Sequence, residues 1–171
     1  ASPYMAASLT TGIQTVSDGI ALSYETLVFC CISGFAAYDI YTRRVPDRAL
    51  AFFCPAALAA LPVHMWTAGV SFGAALCFSL AGCASGFLIL LTAALLSKGG
   101  NGLGGGDIKL AAAMGFIYGP YRMLAILMSA SLLSAAAALV VGCRRRDKTL
   151  SIPFVPFMAA GSLATLIALI T

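Results

Sequence analysis

The feature that most constrains this chain is its series of apolar runs, each near the length of a membrane crossing and separated by short polar breaks. A crossing helix needs about 20 apolar residues, within a range of about 17 to 25. From Gly19 onward six segments can be drawn: Ile20 to Ile40, Ala49 to Met65, Gly69 to Ser97, Ile108 to Tyr118, Tyr121 to Gly142 and Ile152 to Ile170. Pro55 and Pro62 bend the second, and Gly119-Pro120 turns the short fourth into the fifth. Backbone groups inside hydrocarbon must be satisfied within the spanning structure, so crossings are helices or closed barrels. These runs lack the alternation of a barrel strand. The expected fold is therefore all-α, a polytopic membrane protein with a six-helix transmembrane bundle over residues 19–171. Residues 1–18, which lack the basic start of a signal peptide, are read as an outer tail, in part an appended segment.

Composition closes off the alternatives. The chain is 61% hydrophobic and 9% charged, with a mean hydropathy of +0.98, whereas soluble domains are about a quarter charged. A length of 171 residues fits one helical bundle and no further soluble domain of ordinary size. The net charge of +4 is modest and localised, and it gives no support to nucleic-acid binding. Cys30, Cys31, Cys54, Cys77 and Cys83 lie inside apolar runs and Cys143 at the edge of one, none in C-x-x-C pairs. They read as small packed hydrophobes, with no metal site or disulfide implied.

Basic residues orient the bundle. Arg43, Arg44 and Arg48 follow the first span, Lys98 and Lys109 flank the loop after the third, and Arg144, Arg145, Arg146 and Lys148 follow the fifth. These are alternate loops, hence one side, and the positive-inside rule makes that side cytoplasmic. Arg122 falls on the other side, and both termini are expected outside.

Two carboxylates arrive at the cytoplasmic boundary. Asp39 ends the first span, and Asp107 ends the run Gly104-Gly105-Gly106 and opens the fourth. Carboxylates near hydrocarbon are costly, rare and usually functional. Each has a plain structural reading: Asp39 pairs with Arg43 one turn later, and Asp107 caps the next helix. An acid at a helix C-terminus, however, faces the negative end of the macrodipole and needs compensation. Six glycines in the eight residues 99–106 leave the backbone free to approach another chain closely. Together the acids suggest a dyad, which meets if the first and fourth helices pack side by side.

Other singled-out residues have quieter readings. Lys109 snorkels toward anionic lipid, and its loop lacks the order of a nucleotide-binding P-loop. His64, beside Trp66, reads as an interfacial residue. Gly82 and Gly86 form a G-x-x-x-G packing face, and Arg144-Arg145-Arg146 a topology anchor.

Asp39-x-x-x-Arg43-x-x-Pro46 and Gly104-x-Gly106-Asp107-x-Lys109-Leu110 resemble the two signature regions of the type IV prepilin peptidases, membrane aspartic proteases of the GxGD type. Ile152-Pro153-Phe154-Val155-Pro156-Phe157 is similar to a proline-phenylalanine stretch of that family. The resemblance implies catalytic Asp39 and Asp107, with Gly104, Gly106, Lys109, Arg43 and Pro46 positioning motif or substrate, and no metal or other cofactor. It implies a prepilin-like substrate cut after a Gly at the end of a short basic leader, at the cytoplasmic face of a bacterial inner membrane. Partners are the bilayer and the substrate, with a homo-oligomer or pilus assembly machinery besides. Two departures matter: Asp47 stands where an Asn commonly follows the first-motif proline, and the large insert of bifunctional enzymes is absent. The short form looks like the peptidases of tight-adherence (Flp-type) pili and implies cleavage without N-methylation.

Two carboxylates about 3 Å apart do not both ionise easily, so the pair is read as sharing one proton and activating one water. A proton- or cation-coupled transporter would place acids near the midplane of an inverted repeat, and no repeat is visible. A non-catalytic scaffold of a pilus or secretion machine is the third reading.

Overall fold

The structure, a computed structural model, describes residues 3–42, 47–96, 104–144 and 154–170. They form α1 (Pro3–Thr42), α2 (Asp47–Leu58), α3 (Ala60–Ala68), α4 (Phe72–Leu96), α5 (Gly105–Arg144) and α6 (Val155–Ile170), with no strand among the described residues. The all-helical class stands. The count of six spans is not confirmed. Among the described residues, three stretches are long and apolar enough to cross a membrane, Thr15–Thr42, Phe72–Leu96 and Gly105–Val140, whereas Phe53–Ala68 and Val155–Ile167 are shorter. At about 1.5 Å per residue those two fall short of a hydrocarbon core of about 30 Å. Residues 3–18 continue into the first helix, which begins on Pro3, a residue suited to the first helical position.

The second apolar run breaks into two helices. Pro55 lies inside α2, Ala59 separates α2 from α3, and Gly69 ends α3 in the left-handed conformation at φ 62°. Glycine takes that conformation at no steric cost, which is why it terminates helices so often. Tyr24 Oη donates to the Ala56 carbonyl at 2.8 Å, and Phe35 meets Phe53 edge-on with ring centroids 5.6 Å apart, so α1 grips α2 at two levels.

A seam of small residues joins α4 to α5. A Cβ placed on Gly82 would overlap the backbone of Gly115 and Gly119, and one on Gly86 would overlap Ala111. Ascending positions on α4 thus meet descending positions on α5, and the two run antiparallel at backbone contact. Gly82 and Gly86 form the packing face expected of them.

α5 then reverses. The same Gly86 Cβ would lie 3.1 Å from Met123 Cε while overlapping Ala111. In one unbroken helix residues 111 and 123 would stand about 18 Å apart along the axis, beyond the reach of a methionine. The fold-back is made at Gly119, whose φ 73° and ψ 175° suit glycine, with Pro120 following. The fourth and fifth apolar segments are therefore separate antiparallel rods, as Gly119-Pro120 predicted. The first, residues 105–118, reaches only about 21 Å.

α6 packs on α1 and on α5, and it completes the core. Val28 and Ile32 of α1, Leu110, Met114, Met123 and Ile126 of α5, and Met158 of α6 are fully buried together. Leu80, Phe87 and Leu88 of α4 and Leu132 and Leu139 of α5 point outward. So large an exposed apolar area suits contact with lipid.

Candidate active site

Asp39 lies one turn from the end of α1 and is buried, at 4% exposure. Asp107 is the third residue of α5 and half-buried. The two carboxylates lie within electrostatic range of each other. They stand 68 positions apart in sequence, and the ends of two antiparallel elements deliver them to one level.

The local structure around each acid follows from helix ends. The first N–H groups of any helix lack partners within it. α6 begins at Val155, and the Val155 N–H donates to the Asp39 carboxylate. An anion at a helix N-terminus is favoured, so α6 supplies the compensation that Asp39 needs at the C-terminus of α1. Asp39 Oδ2 is buried with no hydrogen-bond partner among the described residues.

Asp107 is held differently from expectation. The helix starts at Gly105, ahead of Ile108, so Asp107 occupies its first turn and does not cap it. Its N–H donates to the Gly104 carbonyl at 3.0 Å, and its carboxylate accepts from the Gly104 backbone. That reach from the third helical residue back to the capping residue is one half of a capping box. A Cβ on Gly104 would sit 3.7 Å from Asp107 Oδ2, ordinary contact, so this glycine leaves space above the carboxylate.

Of the other motif residues, Gly106 lies in the first turn of α5 and Lys109 is exposed one turn along. Arg43 and Pro46 lie outside the described residues, as does most of the glycine run before Gly104. The first and fourth apolar segments do not pack closely side by side. α6 contacts both α1 and α5, and the acids approach each other beside its N-terminus. Val155 is the site residue that sequence reasoning missed. The proline after it marks a helix start, but nothing in the sequence says which carboxylate that start would face.

Chemically, the pair offers two acids at the edge of an apolar bundle, one with a buried oxygen that has no hydrogen-bond partner among the described residues, and both at helix N-termini. Such an arrangement can hold a water and a peptide carbonyl between an acid and a base.

The model of the Type IV leader peptidase family matches residues 26–140, a span that includes both acids. The chain is 36% identical over 172 residues to the prepilin leader peptidase/N-methyltransferase of Bacillus subtilis (strain 168), covering 94% of this chain and 64% of that protein. It is also 36% identical over 132 residues to proteins of the same name from Burkholderia pseudomallei strains 1026b and K96243, covering 77% of this chain and 41% of theirs. The chain thus spans less than two thirds of the length of these relatives. No solved structure matches it significantly.

Proposed function

Because the chain belongs to the type IV leader peptidase family, we propose that it is an aspartic endopeptidase that removes the leader from pilin-like precursors, with Asp39 and Asp107 as the catalytic pair. The observation that carries this reading is that two carboxylates from distant helices come within electrostatic range of each other, one of them at the N-terminus of α6 with a buried oxygen that has no hydrogen-bond partner among the described residues. The ionised member acts as general base on a bound water, and the protonated member polarises the scissile carbonyl. The proton belongs to the pair, so neither acid holds a fixed role. No metal or other cofactor takes part.

The finer assignments rest on sequence and family together. Basic residues at positions 43–48, 98–109 and 144–148 flank the helix ends that carry the acids, which supports an active site at the cytoplasmic face of the inner membrane, six spans and outward termini. A pilin-like precursor keeps its hydrophobic helix in the bilayer and its basic leader in the cytoplasm, so the bond after the leader Gly lies level with the acids. Gly104 and Gly106 let the extended leader approach the dyad, and Arg43, Pro46 and Lys109 hold the two motifs in place. The resemblance to the peptidases of Flp-type pili supports leader removal from precursors of that kind, by a chain working beside assembly machinery or as a homo-oligomer.

The test is Asp39→Asn and Asp107→Asn, made separately, with a co-expressed prepilin. Each is expected to lower cleavage at least about a hundredfold, the size of a general acid-base contribution, while the protein still accumulates in the membrane. Processing by either variant at near the wild-type rate would overturn the dyad.

A further inference from the structure

The end of the bundle remote from Asp39 and Asp107 carries a second polar cluster that peptide cleavage does not use. Glu25 on α1 lies 14 residues before Asp39, about 21 Å along the helix, and pairs with Arg122 just past the reversal of α5. Glu25 is 8% exposed, and its Oε2 is buried with no hydrogen-bond partner among the described residues. A buried carboxylate oxygen left unsatisfied is costly, so its presence calls for a donor.

Two cavities meet at this cluster. One, of about 200 Å³, has a polar wall that includes Asp18, Glu25 and Thr67. The other, of about 510 Å³, has an apolar wall formed by Ala68, Val70, Ala74 and Phe78. His64, Tyr118 and Arg122 line both. His64 is fixed between them, its Nε2 donating to the Ile117 carbonyl at 2.9 Å and its ring edge-on to Phe78. The larger chamber falls within the range of about 300–1,000 Å³ typical of small-molecule sites. Together they form a head chamber and a tail chamber.

Charge selects the head. Asp18 and Glu25 bring two negative groups against the single guanidinium of Arg122, so a bare anion meets net repulsion. Glu25 Oε2 asks for a cationic donor. Arg122 keeps N–H groups beyond the one given to Glu25, in a geometry suited to a phosphate. Trp66 at the end of α3 is 63% exposed, as tryptophans at a headgroup level are.

We propose that this end of the bundle binds an aminophospholipid of the phosphatidylethanolamine type. Its ammonium sits beside the Glu25 carboxylate and Asp18, its phosphate on Arg122, and an acyl chain in the chamber walled by Ala74 and Phe78. The site stands apart from the peptidase reading, and its test reads lipid instead of cleavage.

The full chain is exchanged into phosphatidylcholine nanodiscs doped with equal phosphatidylethanolamine and phosphatidylglycerol, and retained lipid is counted by native mass spectrometry. Wild type is expected to retain phosphatidylethanolamine over phosphatidylglycerol about tenfold, the effect of one hydrogen bond to a charged group. Glu25→Gln removes that preference. Ala74→Phe, which fills the tail chamber from an exposed position and leaves the ion pair intact, lowers retention of the lipid itself. Soluble phosphoethanolamine, with a head and no chain, does not compete. Equal retention of the two lipids by wild type overturns the proposal. So does a preference that survives both substitutions, competition by phosphoethanolamine, or cross-linking that finds a second copy of the chain in the chamber.

Discussion

At the scale of single residues, α1 carries two buried acids at different levels of the bundle and treats them differently. Asp39 faces a helix N-terminus and a second acid, while Glu25 faces a cation. The Glu25/Arg122 pair is lopsided, because the carboxylate is buried and the guanidinium side chain 39% exposed. Removing the cation strands a buried charge, whereas neutralising the carboxylate leaves a cation that still reaches water. Breaking a buried pair costs about 3–5 kcal/mol, and the exposure of Arg122 lowers that toward about 2. Arg122→Ala is therefore expected to destabilise the protein by about 2 kcal/mol. Glu25→Gln should cost less than about 1, and the double variant less than Arg122→Ala alone. Thermal unfolding of the three proteins in one nanodisc composition checks the order. A single cost shared by both single variants would mean that the pair is not lopsided.

At the scale of elements, the seam between α4 and α5 is a contact of backbone against backbone. Gly82→Ala or Gly115→Ala drives a methyl into main-chain atoms of the opposing helix, which cannot rotate away. Each is expected to cost about 1–3 kcal/mol, the usual penalty of overpacking. Gly119→Ala adds backbone strain at φ 73° to a clash with the Phe78 ring, together about 3 kcal/mol or more. Gly34→Ala is the control. Its Cβ meets nothing within 4 Å, and in a helix the change is expected to gain about 0.5–1 kcal/mol. Denaturation in detergent separates the two classes, and a neutral Gly82→Ala would contradict the antiparallel seam.

Much of this was legible in the chain. G-x-x-x-G announced the seam, and Gly119-Pro120 announced the reversal, because both signals are local. The start of α5 was not legible. Glycine is a poor helix former, so Gly105-Gly106 reads as loop, yet the helix takes them in and sets Asp107 in its first turn. Glu25 and Arg122, 97 positions apart, carry no local mark of their pairing. The role of α6 was hidden for the same reason: a helix start is visible in sequence, but the group it faces is decided by packing.

At the scale of the whole molecule, the helices sort their ends into two levels. The last residues of α1 and α4 and the first of α5 and α6 lie at one, and the reversal at Gly119 with Glu25 and Arg122 lies at the other. That arrangement can be tested without any activity. The native cysteines, five of them free among the described residues, are first replaced. Single cysteines then go in at exposed positions, Thr42→Cys and Gly105→Cys at the level of the acids and Tyr121→Cys at the other. A membrane-impermeant thiol reagent is added to inverted and to right-side-out vesicles. Cysteines 42 and 105 are expected to label together from the cytoplasmic side, where the basic residues of their flanking segments belong, and 121 from the opposite side. A common side is what the proposed dyad requires of two acids on separate helices. Labelling of 42 and 105 from opposite sides would separate Asp39 from Asp107 by the thickness of the bilayer, and no rearrangement of side chains could then bring one water between them.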